Sequence, residues 1–465
     1  MNRFPALSLA CSFAVITTAV FTPPASARTT SDLRAGIEYA TLPGAVGSGR
    51  RNEAWFSLEA GTKWKSSAIE GLRLEALFAG EWLVLSPSTS TANSQTLGSP
   101  QAGEWNKSGS PHYFEDRDLF IEYRKGSLRS AIGSKTLRWG VADFYDPLDQ
   151  INSRRMERPA QSTKRGEWMV FSEFAAAESA IAIEAFVIPL KRGSILPSQT
   201  SPWLPRQLYV PNRPDAEFIL PEALEYRYRE REDPDSALRW NAGARLLWRP
   251  QESEISVQYD EGAAGFPSIR AAISGPLIGF RADGRKVIQA DPLVRLAEVY
   301  YRERHYGGSF VRPIAGSLLR FQFGKTEPMQ SGRDLANDRS DFTLAVERQF
   351  GLGSWGSVTL LAQGFKNALE DQTGGTDIAS FSKFFDRAAA LGLRFSPRET
   401  TTFTIGVLSS LTPKGGTIFQ SSLTFDLTAN VNTEIAWTMY EANLDSPIGP
   451  FKDNDGGSIK LTASF

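Results

Sequence analysis

The stretch Gly457-Ser458-Ile459-Lys460-Leu461-Thr462-Ala463-Ser464-Phe465 alternates apolar Ile459, Leu461, Ala463 and Phe465 with polar Ser458, Lys460, Thr462 and Ser464. A period of two puts each set of side chains on its own face of a β-strand. Upstream, Val431, Thr433, Ile435, Trp437 and Met439 alternate with Asn432, Glu434, Ala436 and Thr438. Before them, Phe419, Ser421, Leu423, Phe425 and Leu427 alternate with Gln420, Ser422, Thr424 and Asp426. Two architectures use such strands. A soluble sandwich buries the apolar face against a second sheet, whereas a membrane barrel turns it to lipid and lines its lumen with the polar face.

Strand length and turn asymmetry favour the barrel. Alternating segments recur near 34–42, 53–65, 70–84, 114–125, 127–137, 166–175, 178–189, 237–249, 253–262, 294–311, 316–326, 338–349, 355–367, 386–396, 401–411, 416–427, 431–442 and 457–465. Short turns such as Lys125-Gly126, Ala176-Ala177, Pro250-Gln251-Glu252 and Thr428-Ala429-Asn430 alternate with longer polar stretches near 85–113, 138–165, 190–236, 263–293, 327–337, 368–385 and 443–456. That alternation marks periplasmic turns and external loops. The expected fold is all-β, a transmembrane antiparallel up-and-down β-barrel of 16–18 strands, with 18 preferred because it puts both ends of the chain on the short-turn side. The count of 16 stays open because the segments 34–42 and 294–311 are poorly bounded.

Residues 1–27 read as a secretory signal. Arg3 supplies the basic start, Phe4 to Phe21 carries no charge, and Ala25 and Ala27 form the small-residue cleavage pattern, so cleavage is expected after Ala27. The sole cysteine, Cys11, would leave with it, and residues 28–465 would form one barrel domain. One cysteine and two histidines exclude a cysteine zinc site, an iron–sulfur cluster and a disulfide framework. A net charge of −1 gives no footprint for nucleic acid. Strands that begin soon after Ala27 leave no room for the plug of a TonB-dependent receptor. No cofactor is expected. Glycine pairs such as Gly374-Gly375 read as turns, and Asp453-Asn454-Asp455-Gly456 lacks the bidentate glutamate of a calcium loop.

Strand phase gives an inward list. Its basic members are Arg73, Arg129, Lys135, Arg245, Arg302, Arg304, Arg320 and Arg394, and its acidic members Glu75, Glu122, Asp260, Glu298, Glu347, Asp426 and Glu434. Arginine facing lipid at mid-bilayer costs roughly 2–4 kcal/mol, which sends these side chains to the water-filled side. Trp55, Trp64, Trp82, Tyr123, Trp168, Trp240, Trp248, Tyr259, Tyr300 and Trp437 lie near strand ends or outer faces, as an interfacial girdle would require. The stretch 136–159 is too rich in Trp139, Phe144, Tyr145, Leu148 and Ile151 to be a solvated tail. Folded into the lumen, it would carry Arg138, Asp143, Asp146, Asp149, Arg154, Arg155 and Arg158 to a constriction.

Two runs carry a resemblance. Gly133-Ser134-Lys135, Arg138-Trp139-Gly140 and Asp146-Pro147-Leu148-Asp149-Gln150-Ile151-Asn152 form one. The other comprises Gly243-Ala244-Arg245, Tyr259, Pro267, His305-Tyr306-Gly307-Gly308-Ser309-Phe310 and Leu319-Arg320-Phe321. Together they resemble a proteobacterial outer-membrane barrel family of porin-like channels, similar in architecture to alginate-export-type and substrate-specific porins. Gln322 or Phe323 stands where that family prefers an acid. The resemblance implies a passive or substrate-selective channel and supplies no catalytic residue.

The sequence therefore points to a non-enzymatic outer-membrane channel for small polar or anionic solutes, since the inward list and the 138–165 stretch lean basic. Expected partners are outer-membrane lipid, the solutes, and the barrel-assembly machinery, which would read the C-terminal strand through Phe465. Oligomeric state is open. The alternative is a gated exporter, surface receptor or assembly barrel with a loop-closed lumen. An outer-membrane hydrolase would have to use His305 with a neighbouring serine, His112 lying beside a loop.

Overall fold

A computed structural model of the chain describes residues 28–43, 50–66, 68–85, 112–155, 162–176, 180–195, 215–221, 225–228, 235–330, 338–369, 385–412, 415–443, 446, 448–452 and 454–465. The proposed signal, with Ala27, lies outside these residues, as does Arg158.

Eighteen strands form one sheet. In chain order they are β1 (Arg28–Pro43), β2 (Arg50–Lys65), β3 (Leu72–Leu85), β4 (His112–Lys125), β5 (Leu128–Lys135), β6 (Glu167–Ala175), β7 (Ile181–Leu190), β8 (Arg239–Trp248) and β9 (Glu254–Ala263). They continue as β10 (Arg302–Ile314), β11 (Ser317–Pro328), β12 (Arg339–Gly351), β13 (Ser357–Leu369), β14 (Ala388–Arg398), β15 (Thr401–Ser410), β16 (Gly416–Thr428), β17 (Val431–Ala442) and β18 (Gly456–Ser464). Each pairs antiparallel with the next, and β1 pairs with β18 from Arg34↔Ser464 to Thr41↔Gly457, which closes the barrel. Closure leaves no sheet edge, the condition for a sheet to span lipid. The 18-strand choice holds, and every alternating segment of the sequence except 294–311 overlaps a single strand, one of the barrel's.

Hydropathy is inside out. Ile37, Ile132, Val257, Leu344, Leu391 and Ile459 are exposed on the outer face, while Glu53, Glu122, Gln258, His305, Gln322, Gln363 and Asn367 are buried within. A soluble protein does not show an apolar surface that runs all the way round. Trp168, Trp240, Trp248, Tyr259 and Trp437 are among the exposed outer aromatics. Two of the expected girdle residues are elsewhere. Trp55 donates its indole N–H to Glu53 at 2.8 Å, and Tyr300 is buried beside Leu238 and Ala263.

The segment 294–311 is not one strand. Leu293–Val299 belongs to a separate three-stranded sheet, antiparallel to Ser268–Ile273 and parallel to Glu225–Tyr228, and the wall strand β10 starts only at Arg302. Carrying one phase through that break misplaced three residues. Glu298 sits buried in the loop sheet and not in the wall. Arg302 and Arg304 face outward, because the buried set on β10 is Glu303, His305, Gly307 and Ser309.

Candidate permeation site

The connection from β5 to β6 turns into the barrel and crosses it. Its base is closed by Asn152, whose Oδ1 accepts from the Leu137 N–H at 2.8 Å and whose Nδ2 donates to the carbonyls of Lys135 at 3.1 Å and Arg165 at 2.9 Å. Asp149 pairs with Lys164 at 2.6 Å and Arg154 at 2.7 Å. Glu115, on β4, takes Arg165 at 3.0 Å and Arg155 at 3.4 Å, and the Arg155 guanidinium lies 3.5 Å from the Tyr113 ring. Arg154 and Arg155 are thus committed to the loop base. They do not reach the open part of the lumen.

The Trp139-Gly140 and Asp146-Pro147-Leu148-Asp149 parts of the first run have a mechanical explanation. Trp139 is buried edge-on to Phe186 at 5.2 Å, and its carbonyl accepts from Arg245, which also pairs with Glu184 at 2.8 Å. Any side chain at Gly140 would overlap the Asp146 carboxylate, since a Cβ there would lie 1.8 Å from Oδ1. Asp146 caps the turn by accepting from the N–H groups of Leu148 at 3.1 Å and Ala142 at 3.3 Å. With its amide turned to suit its neighbours, Gln322 donates to Asp146 Oδ1 at 2.8 Å and accepts from the Val141 N–H at 3.0 Å. Gln322, standing where the resemblance prefers an acid, therefore avoids a second carboxylate against Asp146. Burial, then the nearby Asp149 charge, push the Asp146 carboxyl up to about 7; the two N–H donors and Arg138 oppose them. Burial also lowers the Lys164 ammonium, against the pull of Asp149.

Beyond that turn the loop docks on the far wall. Leu148 fills the space opened by the cross-strand pair Gly307↔Gly324 on β10 and β11, and Pro147 sits beside Gly324. The Gln258 amide donates to the Leu148 carbonyl at 3.1 Å. The Tyr145 ring stacks on Phe385 at 4.4 Å and its hydroxyl donates to Asp341 at 3.1 Å, while Gln363 of β13 accepts from the Phe144 N–H at 3.4 Å. Asp143 and Glu347 share Arg320. His305 is buried in the wall under this contact, with Nδ1 3.0 Å from Asp260 Oδ1. No hydrogen bond to a serine is present at His305 among the described residues, and its place is the inner wall.

The loop leaves one side of the lumen free. A cavity of about 570 Å³ lies between it and the wall from β12 round to β1. Phe144 and Asp143 form the loop side; Glu347, Arg394, Glu434 and Glu38 are its other charged groups. Arg394 and Glu434 have no side-chain partner among the described residues. Arg320, shared by the lining residues Asp143 and Glu347, stands at the edge of this cavity, whereas Arg73, Arg129 and Lys135 lie away from it. Arg129 bridges Glu122 at 2.8 Å and Glu173 at 3.0 Å, with Arg73 at 2.9 Å from Glu122, and the Lys135 ammonium sits 4.0 Å from the Phe120 ring centroid. Arg138 donates to the Ala142 carbonyl at 3.0 Å. Glu38 and Phe144 were not singled out as charged or narrowing groups by the sequence reading, although the inward phase of β1 marks Glu38 as a lumen residue.

The barrel is similar to Acinetobacter baumannii OccAB1, with a TM-score of 0.51 at 11% identity over 94% of this chain and 96% of that one. The likeness is one of fold. Pseudomonas aeruginosa OccK3 (OpdO) aligns with a TM-score of 0.48 at 9% identity over 94% of this chain and 95% of that one. No family model and no curated protein matches the sequence. The porin-like barrel implied by the two sequence runs is thus present as a fold.

Proposed function

We propose that the protein is an outer-membrane channel through which small polar solutes diffuse, narrowed by the inward loop to the opening beside Phe144 and Asp143. The observation that carries this reading is the lateral cavity left between loop and wall. Opposed charges at a constriction set selectivity. The expected anion preference rested on the basic lean of the inward list and of the 138–165 stretch; within that stretch Arg154 and Arg155 are neutralised at the loop base. Around the cavity the carboxylates Glu38, Asp143, Glu347 and Glu434 face Arg394 and the shared Arg320. This surplus of acid supports a weak preference for cations. In this reading residues 1–27 are removed on export, and assembly into the membrane proceeds through the C-terminal strand, where the exposed Phe465 exchanges backbone hydrogen bonds with Leu33 at 2.8 and 3.3 Å.

Single-channel recording of the refolded barrel in a planar bilayer, with the reversal potential in a salt gradient, tests it. Steady steps with a cation-leaning reversal potential are expected. A folded, heat-modifiable barrel that carries no current would overturn the channel reading in favour of a loop-closed receptor or exporter.

A further inference from the structure

Arg302 and Arg304 raise a question by facing outward. A basic side chain on the outer wall is costly at mid-bilayer and nearly free at the interface, so outward cations belong at headgroup level. Four of them lie near the long-loop ends of three strands, two adjacent and the third separated from them by one strand. Arg302 and Arg304 are on β10. Lys325, on β11, pairs across the strands with outward Tyr306. Lys366, on β13, is exposed and pairs with outward Phe342. The next outward register positions toward the short-turn end are apolar, Val257 opposite Gly308 and Gly308 opposite Phe323. Tyr259 and Tyr306, ring centroids 5.4 Å apart, mark the boundary between the two zones.

The two arginines are only loosely neutralised. Arg302 and Arg304 share the single carboxylate of Glu261, each at 3.4 Å. Charge-assisted pairs ordinarily close to about 2.7–2.9 Å, as Arg245 and Glu184 do in the lumen at 2.8 Å. Lys325 pairs with Glu327 at 2.6 Å, and Lys366 has no side-chain partner among the described residues. Four cations against two carboxylates leave two positive charges above an apolar, aromatic-edged wall.

We propose that this outward cluster binds the phosphate group of a lipid in the leaflet next to the long loops. Acyl chains would lie on the apolar wall below, the tyrosine pair at the glycerol or sugar level, and the phosphate against Arg304 and Lys325. The inference rests on the membrane placement given under the proposed function. Anionic surfaces attract each nearby basic side chain, and the attraction falls off within a Debye length.

The test is native mass spectrometry of the full barrel in detergent with bis-phosphorylated lipid A, dephosphorylated lipid A or inorganic phosphate, comparing the natural chain with Arg304→Gln/Lys325→Gln. The double variant spares Arg302, which also donates to the Arg239 and Trp240 carbonyls. Phosphorylated lipid A should bind best, and the variant should bind it on the order of tenfold more weakly. Equal binding of dephosphorylated lipid A, or undiminished binding by a folded variant, would overturn the proposal. Equal capture of inorganic phosphate would assign the site to a free anion and overturn it too, as would a changed oligomeric state with lipid binding intact. Currents recorded from the same samples keep the two readings apart. A conducting barrel indifferent to the phosphate loses only this inference, and a silent barrel that still selects the phosphate loses only the channel.

Discussion

The two halves of the lumen are built from the same kind of residue and use it differently. From β4 to β13 inward polar groups are consumed by the loop, as Glu115 is by Arg155 and Arg165, Arg245 by the Trp139 carbonyl, Gln258 by Leu148 and Asp341 by Tyr145, or by one another, as Arg129 is by Glu122 and Glu173. From β14 to β1, Arg394 and Glu434 face the cavity with no such use. A buried polar group left unpaired costs about 1–3 kcal/mol, so a loop that satisfies one wall is held there by it. Water satisfies the other wall, which leaves it available to solutes. Inward charge on a barrel strand therefore has no fixed meaning. It is glue where a loop reaches it and lining where none does.

The comparison breaks most severely at Trp139, the deepest anchor of the filled half. Trp139→Ala should cost about 3–5 kcal/mol, seen as a lowered melting midpoint and as current with several unequal levels in place of one. Asn152→Ala removes three hydrogen bonds from the loop base and should cost about 1–3 kcal/mol, read as faster proteolysis of the loop in an intact barrel. A constant single current level in both variants would mean that the loop is held by something other than this wall.

A gentler perturbation is proton loss from Asp146. Its carboxyl, normally ionised above about pH 4, is pushed up to about 7 in the folded loop. Folding therefore favours the protonated form. The contribution is fully present below the unfolded value, declines as pH rises, and is gone once pH passes about 7. Current fluctuations should grow between slightly acid and slightly alkaline pH and stay flat in Asp146→Asn; the same growth in that variant would assign the effect to another group. The smallest expected effect lies in the open half. Arg394→Gln should move the reversal potential further toward cation preference without altering loop stability, whereas Arg154→Ala should leave that potential where it was.

The barrel was legible because one period of two, repeated along the chain, specifies both the strands and their two faces. The inward loop was legible for a related reason: Trp139, Leu148 and Ile151 need burial, and all three are buried. Side-chain destinations were less so. Phase reads the face of a strand but not a break within an alternating run, and the break before Arg302 reversed the side assigned to two arginines. Phase is also blind to partners on other elements. Nothing local to Arg155 announces Glu115, 40 residues earlier, and the cross-strand glycine pair that receives Leu148 belongs to strands that meet it only in the closed barrel.

The seam between β1 and β18 bears on how such a molecule can be made. It joins residues 34–41 to residues 457–464 through eight residue pairs, half as many as the sixteen that join β1 to β2. Its partners are separated by nearly the whole chain, and contacts of long sequence separation form late and slowly. Until they form, seventeen strands carry two open edges, each a template for pairing with the wrong chain. The step that limits the yield of folded barrel is then the arrival of the last strand. On the proposed export route, each open edge would need chaperoning for as long as it takes to deliver the nine residues of β18.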